Sequence, residues 1–160
     1  MGSYAATAGI GFLGAPSVLV VEDEWLLRNT VADYLRELDF VVAEADSADD
    51  ALTRLQNGLS VDLIISDVKM PGRMDGIGLA GWLEANRPSL PVILASGTIS
   101  LTDAHRPSNV WRYLEKPYNF QLLEEAVLEL FALRRASNVP TQPEHAGACS
   151  EWQCYAKARA

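Results

Sequence analysis

The stretch VDLIISDVKMPGRMDG, residues 61–76, decides the fold of this chain. Its first six residues are mostly apolar, and the run ends at Asp67 before a loop rich in Gly and Met. A short apolar run between segments of helical spacing is typical of a strand buried in a parallel sheet. Asp67 is therefore predicted at the carboxyl end of such a strand, which is where open α/β sheets bind their ligands.

Charged residues follow two other predicted strands in the same way. The first strand leads into Glu22 and Asp23, and the last leads into Lys116. The carboxyl ends of neighbouring parallel strands open onto one crevice, so three carboxylates and one ammonium group are expected to converge there. Such carboxylates repel one another unless a cation neutralises them, and Mg²⁺ prefers oxygen ligands. We therefore predict a magnesium site beside a phosphoryl acceptor, with Asp67 as the acceptor.

Each of these residues also has a simpler interpretation when it is taken alone. A single Asp after a strand often does no more than cap the next helix, and a Lys before Pro is usually a solvated strand end. Ser96 either satisfies a loop backbone group or donates to a phosphoryl oxygen. Lys116 would act on such an oxygen as a point charge, and its bond to Pro117 is a candidate cis peptide.

The rest of the chain alternates short strand-like runs with helical periodicity. The predicted strands cover residues 17–21, 40–43, 61–66, 90–95 and 111–115. Ser47 is predicted to cap the second helix and Gly58 to end it, the third helix is expected over residues 76–86, and Asn119 is predicted to cap the last. This alternation predicts a parallel sheet with helices on both faces.

The segment between the fourth and fifth strands breaks this pattern. Residues 97–110 carry a sparse apolar stripe, Ile99, Leu101 and Ala104, before Pro107 interrupts it. Short helices depend on burying such a stripe, so we predict at most a short helix around residues 101–105. The fourth helix of the fold is therefore expected to be shortened or irregular, with low local stability.

Composition restricts the class of protein. The chain has 160 residues, 49% hydrophobic content and a net charge of −8. This predicts one globular domain, and the negative charge argues against nucleic acid as a partner. No apolar run approaches the roughly 20 residues that span a bilayer, and the start lacks the basic region of a signal peptide, so the cytoplasm is the expected compartment.

The two ends of the chain are expected to lie outside the domain. Residues 1–16 are interpreted as a flexible leader and residues 137–160 as a flexible tail, with the domain at 17–136. Cys149 and Cys154 both lie in the tail. Their spacing matches no zinc pattern well, so we interpret them as tail thiols, although a disulfide or metal site with His145 stays open.

Four motifs of this sequence resemble those of the receiver domains of two-component response regulators. They are VVED at 20–23, SDVKMP with MDG at 66–76, ASG at 95–97 and YLEKPY at 113–118. The resemblance covers about residues 17–136. It implies a flavodoxin-like, doubly wound α/β fold, with a five-stranded parallel sheet of strand order 2-1-3-4-5.

The resemblance also implies roles for the acidic residues. Asp67 would accept a phosphoryl group from a phosphohistidine on a sensor histidine kinase or a phosphotransfer protein. Asp23 and Asp67 would bind Mg²⁺ directly, Glu22 would bind it through water, and the backbone carbonyl of Lys69 would complete the protein ligands. One departure from the family is that Gly72-Arg73 places two residues where one is common.

The remaining roles concern the phosphorylated state. Ser96 and Lys116 would hold the phosphoryl oxygens, and Tyr113 would be the aromatic that changes rotamer on activation. The function that follows is a stand-alone response regulator, which signals to a downstream protein partner. It would not be an enzyme beyond its own magnesium-dependent phosphotransfer and slow autodephosphorylation.

Two other functions compete with this interpretation. A magnesium-dependent phosphatase with an aspartyl-phosphate intermediate would share the site, but typically has a second Asp two residues after the nucleophile. Lys69 stands there instead, which counts against turnover. A non-phosphorylated interaction module is disfavoured, because every charged residue of the site is present.

Overall fold

The computed structural model describes residues 15–97 and 108–137 as one α/β layer structure. Its elements, in chain order, are β1 (Ser17–Val21), α1 (Trp25–Glu37), β2 (Val41–Ala45), α2 (Ala48–Gln56), β3 (Leu63–Asp67), α3 (Gly76–Asn86), β4 (Val92–Ser96), β5 (Val110–Glu115) and α4 (Phe120–Ser137). The short helix expected at residues 101–105 lies outside the described residues. So do nearly all of the leader and of the tail, including both cysteines.

The five strands form one parallel sheet in the order β2-β1-β3-β4-β5, which confirms the predicted fold class. The register aligns the carboxyl ends of the three central strands, since Val21 pairs with Ser66 of β3. Asp67 in turn pairs with Ala95 of β4. Residues that follow β1, β3 and β4 therefore meet at one edge of the sheet.

Side chains alternate between two buried clusters, one on each face of the sheet. Leu19 and Val21 of β1 join α2 and α3 in one cluster, which we call the α2/α3 face. Val18 and Val20 join α1 and α4 in the other, the α1/α4 face. Successive residues of a strand point to opposite faces, so one apolar strand supplies both layers of the core.

Three strands begin one or two residues later than the hydrophobic pattern predicts. Phe40 and Leu90 are buried, yet each lies just before the pairing of its strand begins. Asp62 lies ahead of β3, and its Oδ2 atom accepts hydrogen bonds from the backbone and hydroxyl of Ser17, at 2.8 Å each. The apolar pattern reports burial rather than pairing, and so it includes loop residues that pack before the strand starts.

The helix ends follow the predicted signals. Ser47 Oγ accepts a hydrogen bond from the Asp50 N–H at 3.2 Å, and Asn119 Oδ1 accepts one from the Leu122 N–H at 2.8 Å. Gly58 ends α2 with a φ of 96°, a conformation that glycine adopts without strain. No helix within residues 15–97 or 108–137 combines the length and the apolar character that crossing a membrane requires.

Candidate functional site

Three carboxylates meet at the carboxyl edge of the sheet. One oxygen each from Glu22, Asp23 and Asp67 lies within 4.8 Å of the others. Glu22 is buried, Asp67 is partly buried and Asp23 is exposed. The sequence predicted this convergence from the strand ends, and the exposure of Asp23 leaves the cluster open to solvent on one side.

Lys116 connects two members of this cluster. Its Nζ atom donates to Glu22 Oε2 at 2.7 Å and to Asp67 Oδ2 at 2.8 Å. Its backbone N–H donates to the carbonyl of Ser96 at 2.7 Å, which ties the end of β5 to the end of β4. The Lys116–Pro117 peptide is cis, as the sequence suggested. The predicted ammonium group is thus inside the acidic cluster.

The electrostatics of this group follow from burial and charge. Burial raises the pKa of the Glu22 carboxyl, and the hydrogen bond from Lys116 acts in the opposite direction. Burial disfavours the charged form of Lys116, but its hydrogen bonds with Asp67 and Glu22 outweigh that effect and raise its pKa. Lys116 is therefore cationic at neutral pH and partly offsets the repulsion between the carboxylates.

Asp67 is held in place by close packing of the backbone around it. The Val68 N–H donates to the carbonyl of Ala95 at 2.8 Å, and the Gly76 N–H donates to the carbonyl of Val68 at 3.0 Å. A Cβ atom at Gly76 would lie 2.0 Å from the Asp67 carbonyl oxygen. Any side chain at position 76 would therefore push against the backbone of Asp67.

Residues 68–75, which we call the β3–α3 loop, follow Asp67 and extend toward solvent. At its start the Lys69 N–H donates to Asp67 Oδ1 at 3.2 Å. Further on, Asp49 of α2 accepts a hydrogen bond from the Arg73 N–H at 3.0 Å and forms an ion pair with its guanidinium group. Gly72 has a φ of 133° and passes close to Asp49, so glycine fits there.

The two predicted switch residues lie in the neighbouring strands. Ser96 is the last residue of β4 and is buried, one position beyond the residue that pairs with Asp67. Tyr113 pairs with Leu94 and packs, partly buried, against the α2/α3 face. Ser96 therefore lies at the acidic edge, and Tyr113 lies deeper along the neighbouring strand.

Sequence reasoning missed Arg28, which contacts this site, and Glu44, which contacts Arg28. Arg28 in the first turn of α1 donates through Nη1 to the backbone carbonyl of Glu22 at 2.7 Å. Its Nε atom lies 3.6 Å from Oε2 of Glu44. The available signal was Glu44, a charged residue in the otherwise apolar strand β2, because a partly buried glutamate is costly unless it is paired.

The donor set fits magnesium. Mg²⁺ takes oxygen ligands, binds through a small number of carboxylates and keeps several waters. Glu22, Asp23 and Asp67 supply carboxylate oxygens close together, with solvent access beside Asp23. A divalent cation in this cluster would offset the repulsion that Lys116 alone only partly relieves.

The comparison with protein families identifies the class. Residues 18–128 match the model of the response regulator receiver domain, so the chain belongs to that family. Receiver domains are phosphoacceptor signalling proteins of two-component systems, which interact with histidine kinases and downstream effectors and bind Mg²⁺ through acidic residues.

Individual relatives agree with this assignment. The transcriptional regulatory protein DctD of Rhizobium meliloti is 32% identical over 143 residues, which cover 80% of this chain and 30% of that protein. The chemotaxis protein CheY of Pseudomonas aeruginosa is 32% identical over 120 residues, covering 71% of this chain and 94% of CheY. The chain thus spans about a third of the length of DctD and nearly all of CheY.

A solved structure adds a ligand to the comparison. The response regulator TrrA from Thermotoga maritima, in complex with Mg²⁺ and BeF, is similar with a TM-score of 0.65 and 28% identity. The match covers 72% of this chain and 98% of that one. That protein holds magnesium and a beryllium fluoride group on the same fold.

Proposed function

We propose that this chain accepts a phosphoryl group on Asp67 from a phosphohistidine of a sensor histidine kinase or phosphotransfer protein. The observation that carries this proposal is the contact of Lys116 with both Asp67 and Glu22, at 2.8 and 2.7 Å. The ammonium group of Lys116 is a fixed positive charge next to Asp67. It would stabilise the negative charge that a transferred phosphoryl group brings to this position.

The transfer requires little from the acceptor itself. An oxygen of Asp67 attacks phosphorus, the bond between phosphorus and the imidazole nitrogen breaks, and its electron pair stays on the nitrogen. A carboxylate is already deprotonated, so no general base is needed. Lys116 and the Lys69 N–H bind opposite oxygens of Asp67, which fixes the orientation of the nucleophile before transfer.

Asp23 and Asp67 would bind Mg²⁺ directly, Glu22 would bind it through water, and the backbone carbonyl of Lys69 would complete the protein ligands. When bound there, the ion would supply positive charge against the phosphoryl oxygens. The support is the clustering of the three carboxylates, and the exposure of Asp23, which gives the ion access from solvent.

Ser96 and Lys116 hold the phosphoryl oxygens after transfer. Ser96 moves toward the new dianionic group, and Tyr113 changes rotamer into the space that Ser96 leaves. The support is their placement: Ser96 ends the strand next to that of Asp67, and Tyr113 is one strand further and only partly buried. The result is a two-state surface on the side of β4 and β5.

We propose further that the signal passes to a protein partner in the cytoplasm, with the chain acting as a stand-alone regulator. The net charge of −8 favours a protein over nucleic acid as the binding partner. CheY, of which the alignment covers 94%, is the relative that corresponds to this form of output. DctD is by its name a transcriptional regulator, so output through DNA is the competing form of the same function.

Incubation with acetyl phosphate and Mg²⁺, followed by intact mass measurement over time, tests the proposal. A receiver gains one phosphoryl group, which persists for a time and is lost slowly. A phosphatase would instead turn over acetyl phosphate continuously, with little adduct at any time. A chain that stays unmodified at saturating acetyl phosphate and Mg²⁺ would show that it is an interaction module and that the proposal is wrong.

A further inference from the structure

We propose that Arg28 is a positioning residue for the acidic turn, and that Glu44 orients Arg28 for this task. By the acidic turn we mean residues 22–24, between β1 and α1. The inference rests on the proposed function, because it concerns the affinity of the turn for Mg²⁺. Arg28 acts through the backbone of Glu22 and touches neither the metal nor the phosphoryl group.

The backbone of Glu22 is bonded on both sides. Its N–H donates to the carbonyl of Ala45 at the end of β2, at 3.2 Å. Its carbonyl accepts from Arg28 Nη1 at 2.7 Å, which is a charge-assisted hydrogen bond. The peptide groups on either side of Glu22 therefore cannot rotate without losing a bond. Of these two hydrogen bonds, the one from Arg28 is made by a side chain, so a substitution can remove it.

The guanidinium group of Arg28 is itself held in one orientation. Its Nε atom lies 3.6 Å from Glu44 Oε2, and only 13% of its side chain is exposed. The other oxygen of Glu44 accepts from Arg36 Nη2 at 2.7 Å, and Arg36 also pairs with Asp33. Glu44 is thus fixed between two arginines of α1, and it links the orientation of Arg28 to the edge strand β2.

This arrangement predicts an effect on metal affinity. Asp23 directly follows the carbonyl that Arg28 holds, so loss of that bond frees the peptide that sets the direction of Asp23. Outer hydrogen bonds of this kind typically change metal affinity by about 10–100-fold when they are removed. Part of the Arg28 side chain is still exposed, so water can replace part of its bond, and we expect the lower end, about tenfold.

Lysine cannot replace Arg28. A guanidinium group presents several N–H donors in a fixed plane, so Arg28 can donate to the Glu22 carbonyl while it forms an ion pair with Glu44. An ammonium group on a flexible stem keeps the charge but does not hold both acceptors in that geometry. Arg28→Lys should therefore recover little of the affinity that Arg28→Gln loses, which separates positioning from simple charge compensation.

The experiment measures the Mg²⁺ dissociation constant by calorimetric titration of the full chain, on protein shown to be folded by circular dichroism. Arg28→Gln should bind Mg²⁺ about tenfold more weakly. Glu44→Gln should weaken binding by about threefold, and it should add nothing in the Arg28→Gln background, since it acts through Arg28. The matched control is Arg54→Gln, which breaks the exposed Arg54–Asp50 pair on α2 and should leave the affinity unchanged.

The outcomes separate this inference from the proposed function. If the wild type binds Mg²⁺ and Arg28→Gln binds it within twofold, the positioning role is wrong while the phosphoacceptor site stands. A loss of stability without a loss of affinity also overturns the positioning role, because it marks a structural role only. If Arg28→Gln does not fold, the test rests on the Mg²⁺ affinity of Glu44→Gln. An affinity equal to that of the wild type then overturns the inference. A wild type that binds no Mg²⁺ overturns both proposals.

Discussion

The acidic turn and the β3–α3 loop both lie beside the carboxylate cluster, but neighbouring elements hold them in different ways. The turn is short, and Glu22 is buried and bonded through its backbone and its side chain. In the loop, residues 71–73 are exposed, and Asp49 of α2 provides their attachment through Arg73. The turn is anchored at the site itself, whereas residues 71–73 of the loop are anchored away from it.

This difference indicates where a change of length would disturb the site least. Asp67 is the last residue of β3, and its position is set by β4 and by the packing of Gly76 rather than by the loop. The additional residue at Gly72-Arg73 lies in the exposed part of the loop, so it can be accommodated without moving Asp67. An insertion in the turn would break bonds that hold Glu22.

The largest expected effect separates the strand end from the loop. Asp67→Asn should abolish labelling by acetyl phosphate, because an amide is not a nucleophile for phosphoryl transfer. Asp75→Asn, in the loop, should leave labelling intact. Asp75 caps α3 by accepting from the Gly78 N–H at 2.7 Å, and Asn caps a helix equally well. Intact mass measurement gives both answers, and stoichiometric labelling of Asp67→Asn would refute the assignment of the acceptor.

The second effect concerns the packing that fixes Asp67. Gly76→Ala should destabilise the fold by about 3 kcal/mol, because its Cβ would meet the backbone oxygen of Asp67, which cannot move aside. Gly81→Ala is the matched control in the same helix, where a Cβ meets nothing within 4 Å. That substitution should stabilise by about 0.5–1 kcal/mol, since glycine is a poor helix former.

Chemical denaturation of the two glycine variants measures these changes directly. Equal stabilities for Gly76→Ala and Gly81→Ala would mean that the backbone at Asp67 yields easily. In that case the strand end would be no more rigid than the loop. A variant that is stable but labels poorly would show that the acceptor moved while the fold adjusted.

Much of the fold and of the site could be predicted from local signals in the sequence. Ser47 and Asn119 were identified as caps because capping depends on one side chain and the next turn of helix. Glu22, Asp23, Asp67 and Lys116 were placed together because the ends of parallel strands share one edge. The strand order itself followed from the family resemblance rather than from these local patterns.

What the sequence did not reveal depends on contacts between elements. Arg28 and Glu44 meet because α1 packs beside β2, and no spacing along the chain marks that pair. The starts of β2, β3 and β4 were placed too early, since apolar residues such as Phe40 and Leu90 are buried before their strands pair. The hydrophobic pattern of the sequence predicts which residues are buried. The packing of the layers determines which groups they contact.

The third effect concerns metal binding at the acidic turn. Mg²⁺ should stabilise the wild type, since it relieves repulsion within the carboxylate cluster. For an assumed dissociation constant of about 1 mM, about 10 mM Mg²⁺ adds about 1.4 kcal/mol by mass action. Asp23→Asn should erase this gain and should raise stability without metal, because one of the like charges is gone. Thermal unfolding with and without Mg²⁺ tests both, and an unchanged wild-type melting temperature would contradict the site.

The smallest effect tests whether the exposed part of the loop, residues 71–73, affects metal binding. Asp49→Ala removes the attachment of Arg73, which is an exposed ion pair and one hydrogen bond. Such pairs contribute little, so the free energy of unfolding should fall by about 0.5 kcal/mol. Asp50→Ala, which breaks an ion pair with Arg54 in the same turn of α2, is the matched control.

The decisive measurement on Asp49→Ala is its Mg²⁺ affinity, obtained by the same calorimetric titration as for Arg28→Gln. We expect no change, because Asp49 holds residues beyond Lys69 and the backbone of Asp67 is fixed independently by β4 and Gly76. A loss as large as that expected for Arg28→Gln would mean that the loop positions ligands just as the turn does. Residues 71–73 would then also contribute to the metal site, as the Lys69 carbonyl is proposed to do, and the departure at Gly72-Arg73 would have to be explained by function rather than by tolerance.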